Sequence, residues 1–234
     1  MSSVSYEEWL LAPGVEVWHS TGSVGVQRIL PDGCLDLLFD GELLLVAGPD
    51  TLARVHESAS PRPLTAVRLH AGRGPALLGV PADELGNRTT ELADLWGARR
   101  ARDLTERVAE GPSRELAVWA TTGPPVDPLG DRLRALLAGG GSVAGAADAL
   151  GYSTRQLHRR ALPVFGYGPA HLARVLRLLR AVTDADRGTD WATTAHRAGY
   201  ADQAHLARDV RALAGVTPTA LRRERGVRFV QDAA

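Results

Sequence analysis

Between residues 15 and 70 the apolar positions fall in short runs separated by turn-forming residues. Val15–Ser20, Gly25–Leu30, Cys34–Phe39, Leu43–Gly48 and Leu64–His70 are rich in Val, Leu and Ile, a composition that suits a pleated, half-buried surface. Pro31-Asp32-Gly33, Asp40-Gly41 and Gly48-Pro49-Asp50 lie between them. Asp-Gly is the strongest short hairpin signal, because glycine enters the left-handed region that a tight turn requires. From Gly74 onward the spacing becomes helical: Pro75–Val80, Leu92–Glu110 with a break near Gly97, and Ser113–Ala120. The segment from Trp119 to Gly130 has no apolar period, and Pro124, Pro125 and Pro128 exclude a helix interior. It reads as a linker, placed at 121–130. The predicted division is therefore 1–120, the linker, and 131–234. Beyond the linker the pattern is helical throughout: Asp131–Ala138, Val143–Leu150 capped by Ser142, Thr154–Val164 capped by Ser153, Ala170–Asp184, Asp190–Ala198, Asp202–Leu213 and Pro218–Arg225. Leu172, Val175, Leu176 and Leu179 form the apolar stripe of the longest helix. The fold class is α+β, a small β-sandwich or cupin-like barrel with appended helices, followed by an all-α region.

The helical half repeats itself. Ala-Ala-Asp-Ala-Leu-Gly-Tyr (146–152) corresponds to Thr-Ala-His-Arg-Ala-Gly-Tyr (194–200). Leu157-His-Arg159 corresponds to Leu206-Ala-Arg208, and Gly166-Tyr-Gly-Pro169 to Gly215-Val-Thr-Pro218. The offset is 48 residues at the Gly-Tyr pair and 49 from the leucine onward. Each copy is a helix, a glycine turn, a second helix and a turn closed by proline. Small residues at 146, 147, 194 and 195 let paired helices cross closely. This is the pattern of a helix-turn-helix unit, whose second helix enters a major groove.

Charge supports that reading. Residues 1–130 carry 11 Arg against 18 Asp and Glu, an acidic excess of seven; residues 131–234 carry 16 Arg against 9, a basic excess of seven. The net charge of zero conceals one half suited to a polyanion. Lysine is absent throughout, in the acidic half as well, which points to codon bias rather than selection for arginine. Cys34 is the single cysteine, so an internal disulfide and a multi-cysteine zinc site are excluded. No apolar run has the ~18 residues of a membrane span, and Met1–Glu8 lacks the charged and apolar regions of a secretory signal. The expected setting is the reducing cytoplasm, at the nucleoid.

These residues carry a family resemblance. Residues 142–225 resemble the double helix-turn-helix domain of AraC/XylS-type transcription regulators. The stretch Ala198-Gly-Tyr-Ala-Asp-Gln-Ala-His-Leu-Ala-Arg-Asp-Val-Arg-Ala-Leu-Ala-Gly-Val-Thr-Pro218 matches that family's Gly-Tyr, Asp-Gln, His-Leu, Arg and Gly-Val-Thr-Pro markers; Ala149-Leu-Gly-Tyr-Ser-Thr-Arg-Gln-Leu-His-Arg-Arg160 matches the first unit. Where the family has Phe two residues after the arginine, this chain has Ala161 and Val210, and Phe165 is placed to refill the first core. The resemblance implies base-reading side chains at Arg155, His158 and Arg159, and at Gln203, Ala204 and Arg208. Ser153, Thr154 and His205 accompany them, while Arg160, Arg211, Arg222 and Arg223, with Thr217 and Thr219 at a helix start, suit phosphates. The partners implied are promoter DNA, RNA polymerase, a second copy of the chain and a small-molecule effector of unnamed class; no cofactor, metal or membrane is expected. Leu30–Phe39, Val46–Asp50 and Leu77–Leu85 resemble the cupin-like sensor domains that precede such units, implying ligand binding or dimerisation.

Two alternatives stay open at this stage. One is a cupin-type enzyme with a helical targeting part, although His19, His56 and His70 are isolated and no hydrolase, metalloprotease or phosphate-loop motif occurs. The other is a thiol stress sensor at Cys34, against which Asp32 and Asp36 raise the thiol pKa. Asp32, Asp36 and Arg68 are the candidates for a polar pocket.

Overall fold

A computed structural model describes residues 6–22, 24–58, 62–70 and 72–231. Residues 1–5 of the segment read above for a signal lie outside these. Three strands have the bounds the alternation predicts: β2 (Val15–Ser20), β4 (Cys34–Phe39) and β7 (Leu64–His70). Around them lie β1 (Tyr6–Ala12), β3 (Gly25–Ile29), β5 (Leu44–Ala47), β6 (Arg54–Ser58) and β8 (Thr89–Glu91). Six of these form one antiparallel sheet in the order β1-β2-β7-β4-β5-β8, while β3 and β6 pair as a separate two-stranded ribbon. In the β4–β5 hairpin Gly41 adopts φ +100°, and Asp40 Oδ1 accepts from the amides of Glu42 and Leu43.

One sheet face is apolar: Val15, Val17, Leu35, Leu37, Phe39, Val67 and Leu69 are buried there. The covering helices are α1 (Arg73–Leu78), α2 (Ala82–Leu85), α3 (Leu92–Trp96), α4 (Ala98–Glu110) and α5 (Pro112–Thr121), which contribute Leu78, Leu85, Leu92, Leu104, Val108 and Leu116. Each such side chain removed from water contributes roughly 1.5–3 kcal/mol before entropy is subtracted. The break predicted near Gly97 is real. That residue has φ +80° and separates α3 from α4.

Coil spans residues 122–128, and α6 (Leu129–Ala138) starts two residues earlier than the periodicity indicates, because Asp127 Oδ1 accepts from the Leu129 amide. There follow α7 (Val143–Ala149), α8 (Thr154–Phe165), α9 (Pro169–Asp186), α10 (Trp191–Ala198), α11 (Gln203–Ala214) and α12 (Pro218–Gln231). None of the helices is long and apolar enough to cross a membrane among the described residues. The 18-residue α9 passes through two cores. Its Leu172, Val175 and Leu176 join Leu133, Leu157 and Phe165; its Leu178, Ala181 and Val182 join Ala195, Leu206, Val210 and Leu213. Leu179 is only half-buried, because the helix changes its buried side on passing from one core to the other.

The two halves touch at several points. Arg134 Nη1 donates to Asp32 O at 2.8 Å, the His171 ring bonds Thr51 O at 2.9 Å, and the Ala53 amide donates to Leu213 O at 2.7 Å. On the ribbon, Arg28 pairs with Glu224 at 2.9 Å and donates to Ala214 O at 2.8 Å. Leu213 and Ala214 end α11, so their carbonyls lack intrahelical partners and are satisfied from the β-rich half.

Candidate nucleic-acid interface

The two repeats are built alike. Gly151 (φ +73°) and Gly199 (φ +85°) turn α7 into α8 and α10 into α11, a conformation that a Cβ makes strained. Ala146, Ala147, Thr194 and Ala195 are all buried at the helix crossings. Ser153 caps α8 with a reciprocal pair: its Oγ accepts from the Gln156 amide, and Gln156 Oε1 accepts from the Ser153 amide at 2.9 Å. Asp202 does the same work for α11, accepting from the His205 amide at 2.6 Å. The caps fix where each helix starts, and hence which side chains its first turns present.

On α8, Leu157, Ala161 and Phe165 recur every four residues and are buried. Thr154, Arg155, His158, Arg159 and Arg160 are exposed. On α11, Leu206, Val210 and Leu213 are buried, while Gln203, Ala204, Arg208 and Arg211 are exposed. Ala161 and Val210 thus face inward, and the fully buried Phe165 fills the first core.

Not every candidate is free. Among the described residues, Arg155, Arg159, Arg208, Arg211 and Arg223 lie within ion-pair distance of no carboxylate. Arg160 instead lies over the Tyr152 ring at 4.9 Å, and Arg222 over Trp191 at 4.5 Å while donating to Thr189 O. The His158 ring lies against Gly168, where a Cβ would come within 2.4 Å of it. His205 is half-buried, edge-on to Tyr200 at 5.1 Å, and its Nδ1 accepts from the Ala201 amide. Thr217 caps α12, its Oγ1 accepting from the Ala220 amide at 3.2 Å; Thr219 is exposed in the first turn.

Sequence reasoning missed a stripe of arginines on α9. Arg174 pairs with the buried Asp209 of α11 at 2.7 Å, Arg177 stands over the Tyr200 ring at 5.0 Å, and Arg180 donates to Ala198 O and Ala138 O. The signal was present in their spacing of three, which places them on one helix face. Burial, followed by the neighbouring Arg177, lowers the pKa of Arg180.

In the β-rich half, Asp32, Asp36 and Arg68 do come together, on the sheet face away from α3–α5. Arg68 Nε lies 3.2 Å from Asp36 and 3.6 Å from Asp32, and its Nη1 lies 3.5 Å from Glu8, a residue the sequence reading passed over. Trp18 donates its indole N–H to Asp36. Burial pushes the Asp36 carboxyl up, against the pull of Arg68. Cys34 is buried and its thiol pKa is raised, by burial first and then by Asp32, so thiolate chemistry is disfavoured. The three histidines considered for metal do not meet: His19 bonds Thr65, His70 pairs with Glu16 on the opposite sheet face, and His56 lies on the ribbon. Among the described residues no cluster of three metal-ligating side chains occurs.

Two family models match separate stretches of the chain. Residues 146–224 match the family described as a helix-turn-helix domain, and residues 10–91 match a domain of unknown function, DUF6597. No curated protein matches the sequence. Among solved structures the chain aligns with ToxT from Vibrio cholerae O395 at 8% identity and a TM-score of 0.49, over 91% of this chain and 98% of that one. It also aligns with an apo variant of ToxT from Vibrio cholerae strain SCE256 at 10% identity and 0.47, over 96% and 98%. Unsaturated fatty acid-bound wild-type ToxT from that strain aligns at 9% and 0.47, over 89% and 94%.

Proposed function

We infer, from the premise that the C-terminal region is an AraC-type helix-turn-helix domain and the protein a DNA-binding transcription regulator, that α8 and α11 lie in successive major-groove segments of one duplex. Arg155 and Arg159 on α8, and Gln203 and Arg208 on α11, read base edges. Arginine on guanine and glutamine on adenine can each be bidentate, discriminating by roughly 1–3 kcal/mol. His158 and Ala204 border the same ridges, and Ala204 suits a thymine methyl. Ser153, Thr154, Arg211, Arg223, Thr217 and Thr219 serve the phosphate backbone. Arg160, His205 and Arg222, committed to aromatic rings, stiffen the reading elements. The observation that carries this reading is the row of exposed arginines on the second helix of each unit, with no carboxylate partner among the described residues. At 1.5 Å per residue α9 is about 27 Å long, near the ~34 Å that separates major grooves on one side of a duplex.

The division proposed is a sensor or dimerisation part over 1–120, a linker over 121–130 and the DNA-binding part over 131–234. The β-rich half takes a small effector or a second copy of the chain, and its change of state alters site affinity or contact with RNA polymerase. The protein acts in the cytoplasm, without enzymatic turnover. The test is selection of duplexes from a random pool, followed by mobility shift with Arg159→Ala and Arg208→Ala. Each variant should lose affinity and relax selectivity at its own positions. Unchanged binding and selectivity in both would remove the assignment.

A further inference from the structure

We propose that Arg180 is a positioning residue that locks the two helix-turn-helix units into one frame, and so sets the spacing at which the protein reads two stretches of DNA. The inference rests on the DNA-binding reading above.

Three arginines on one face of α9 turn toward the second unit rather than outward. Arg174 reaches Asp209 on α11, and Arg177 covers the Tyr200 ring in the turn before it. Arg180 alone reaches in both directions. Its Nη2 donates to Ala198 O at 3.1 Å, and its Nη1 to Ala138 O at 2.7 Å and Leu137 O at 3.3 Å. Ala198 ends α10 in the second unit; Leu137 and Ala138 end α6, which packs under the first. Ala138 O and Ala198 O have no partner within their own helices and carry the negative end of each helix dipole, while Leu137 O also accepts from the Gly140 amide at 3.0 Å. A planar guanidinium with five donors spans them; an ammonium on a flexible stem does not hold two diverging acceptors in the same way.

Arg174 and Arg177 tie α9 to the second unit alone, and the β-rich half touches both units from behind. The apolar contacts to either end of α9 have no directional preference, so by themselves they hold the units together without fixing their rotation about the helix axis. The guanidinium fork is directional, and it joins the two helix ends whose relative position determines where α11 stands with respect to α8. Two linked reading units gain affinity from each other only if both can engage at once.

The experiment uses the full chain and a duplex that the wild type selects from a random pool. From it come duplexes with one to five base pairs inserted between the two contacted stretches, and duplexes keeping only one stretch. Each inserted pair turns the second site by about 35°. Wild type should bind the parent spacing far better than the altered ones. Arg180→Ala should lose at least about tenfold at the parent spacing and bind all spacings nearly alike, while single-stretch affinity stays within about twofold. Arg180→Lys, read in the same assay with folding checked by circular dichroism, should fall between. A spacing profile in either folded variant that matches wild type overturns the proposal, as does an equal fall on single stretches. A wild type that selects no duplex at all overturns the DNA-binding reading, and this inference with it.

Discussion

Arg174 places two donors on one carboxylate oxygen of Asp209, at 3.0 and 2.7 Å, and leaves the other oxygen of that buried carboxylate without a partner. The pair is asymmetric: the Asp209 side chain is 8% exposed and that of Arg174 41%. Removing the arginine strands a buried charge, whereas removing the aspartate frees a guanidinium that water can reach. Arg174→Ala should therefore destabilise by roughly 2–4 kcal/mol, discounted for partial exposure, and Asp209→Ala by clearly less of the ion-pair component. Urea unfolding of both variants measures the difference, and equal or reversed losses would contradict it.

Gly151 and Gly166 both have φ near +75°, but their surroundings differ. A Cβ on Gly151 meets open space. One on Gly166 would stand 2.7 Å from Pro49 Cγ and 3.1 Å from Ala82 O, across the contact between the halves. Gly151→Ala should cost the left-handed strain alone, about 1–2 kcal/mol, and Gly166→Ala a further ~1–3 kcal/mol of overpacking. Thermal melts of the two variants give the comparison.

His171 lies between the halves, bonded to Thr51 O, and its pKa is lowered chiefly by burial. The folded protein resists a proton that the unfolded chain accepts near pH 6.5. Unfolding thus takes up a proton as pH falls, so stability is fully present above the unfolded pKa and declines through and below it. His171→Gln should show a shallower loss between pH 7.5 and 5.5 in urea titrations; an unchanged slope would show that this side chain does not contribute.

Arg211 is exposed near the end of α11, and the proposed function assigns it to a phosphate. Arg211→Ala should weaken a selected and an unrelated duplex alike, and reduce the slope of log K against log salt by about 1. A change in selectivity with an unchanged slope would place the residue on a base instead.

The central strands β2, β4 and β7 were legible because their buried positions alternate within a covered face. At the periphery this signal fails. β1 exposes Leu10 and half of Tyr6, and β6, Arg54–Ser58, has one apolar residue and only β3 as its partner. Both are strands because of what lies beside them, not because of their own pattern. The helix pairs and their caps were readable because glycine turns and Ser or Asp caps act locally. Commitments such as Arg222 on Trp191 and His205 against Tyr200 were not, since a polar residue on a helix face looks the same whether it meets solvent or a neighbouring ring. The stripe on α9 failed for another reason. A helix that serves two cores has no single apolar side, so Leu178 is buried where Leu179 continues the simple period.

The β-rich half holds α11 by its final carbonyls and meets α8 at Gly166, just past its last residue, while among the described residues Thr154, Arg155, Gln203 and Ala204 in the opening turns of both helices are exposed. If the β-rich half senses a ligand, as proposed, its signal reaches the two probes from behind, and regulation would register as a graded change of aim rather than as the lifting of a cover.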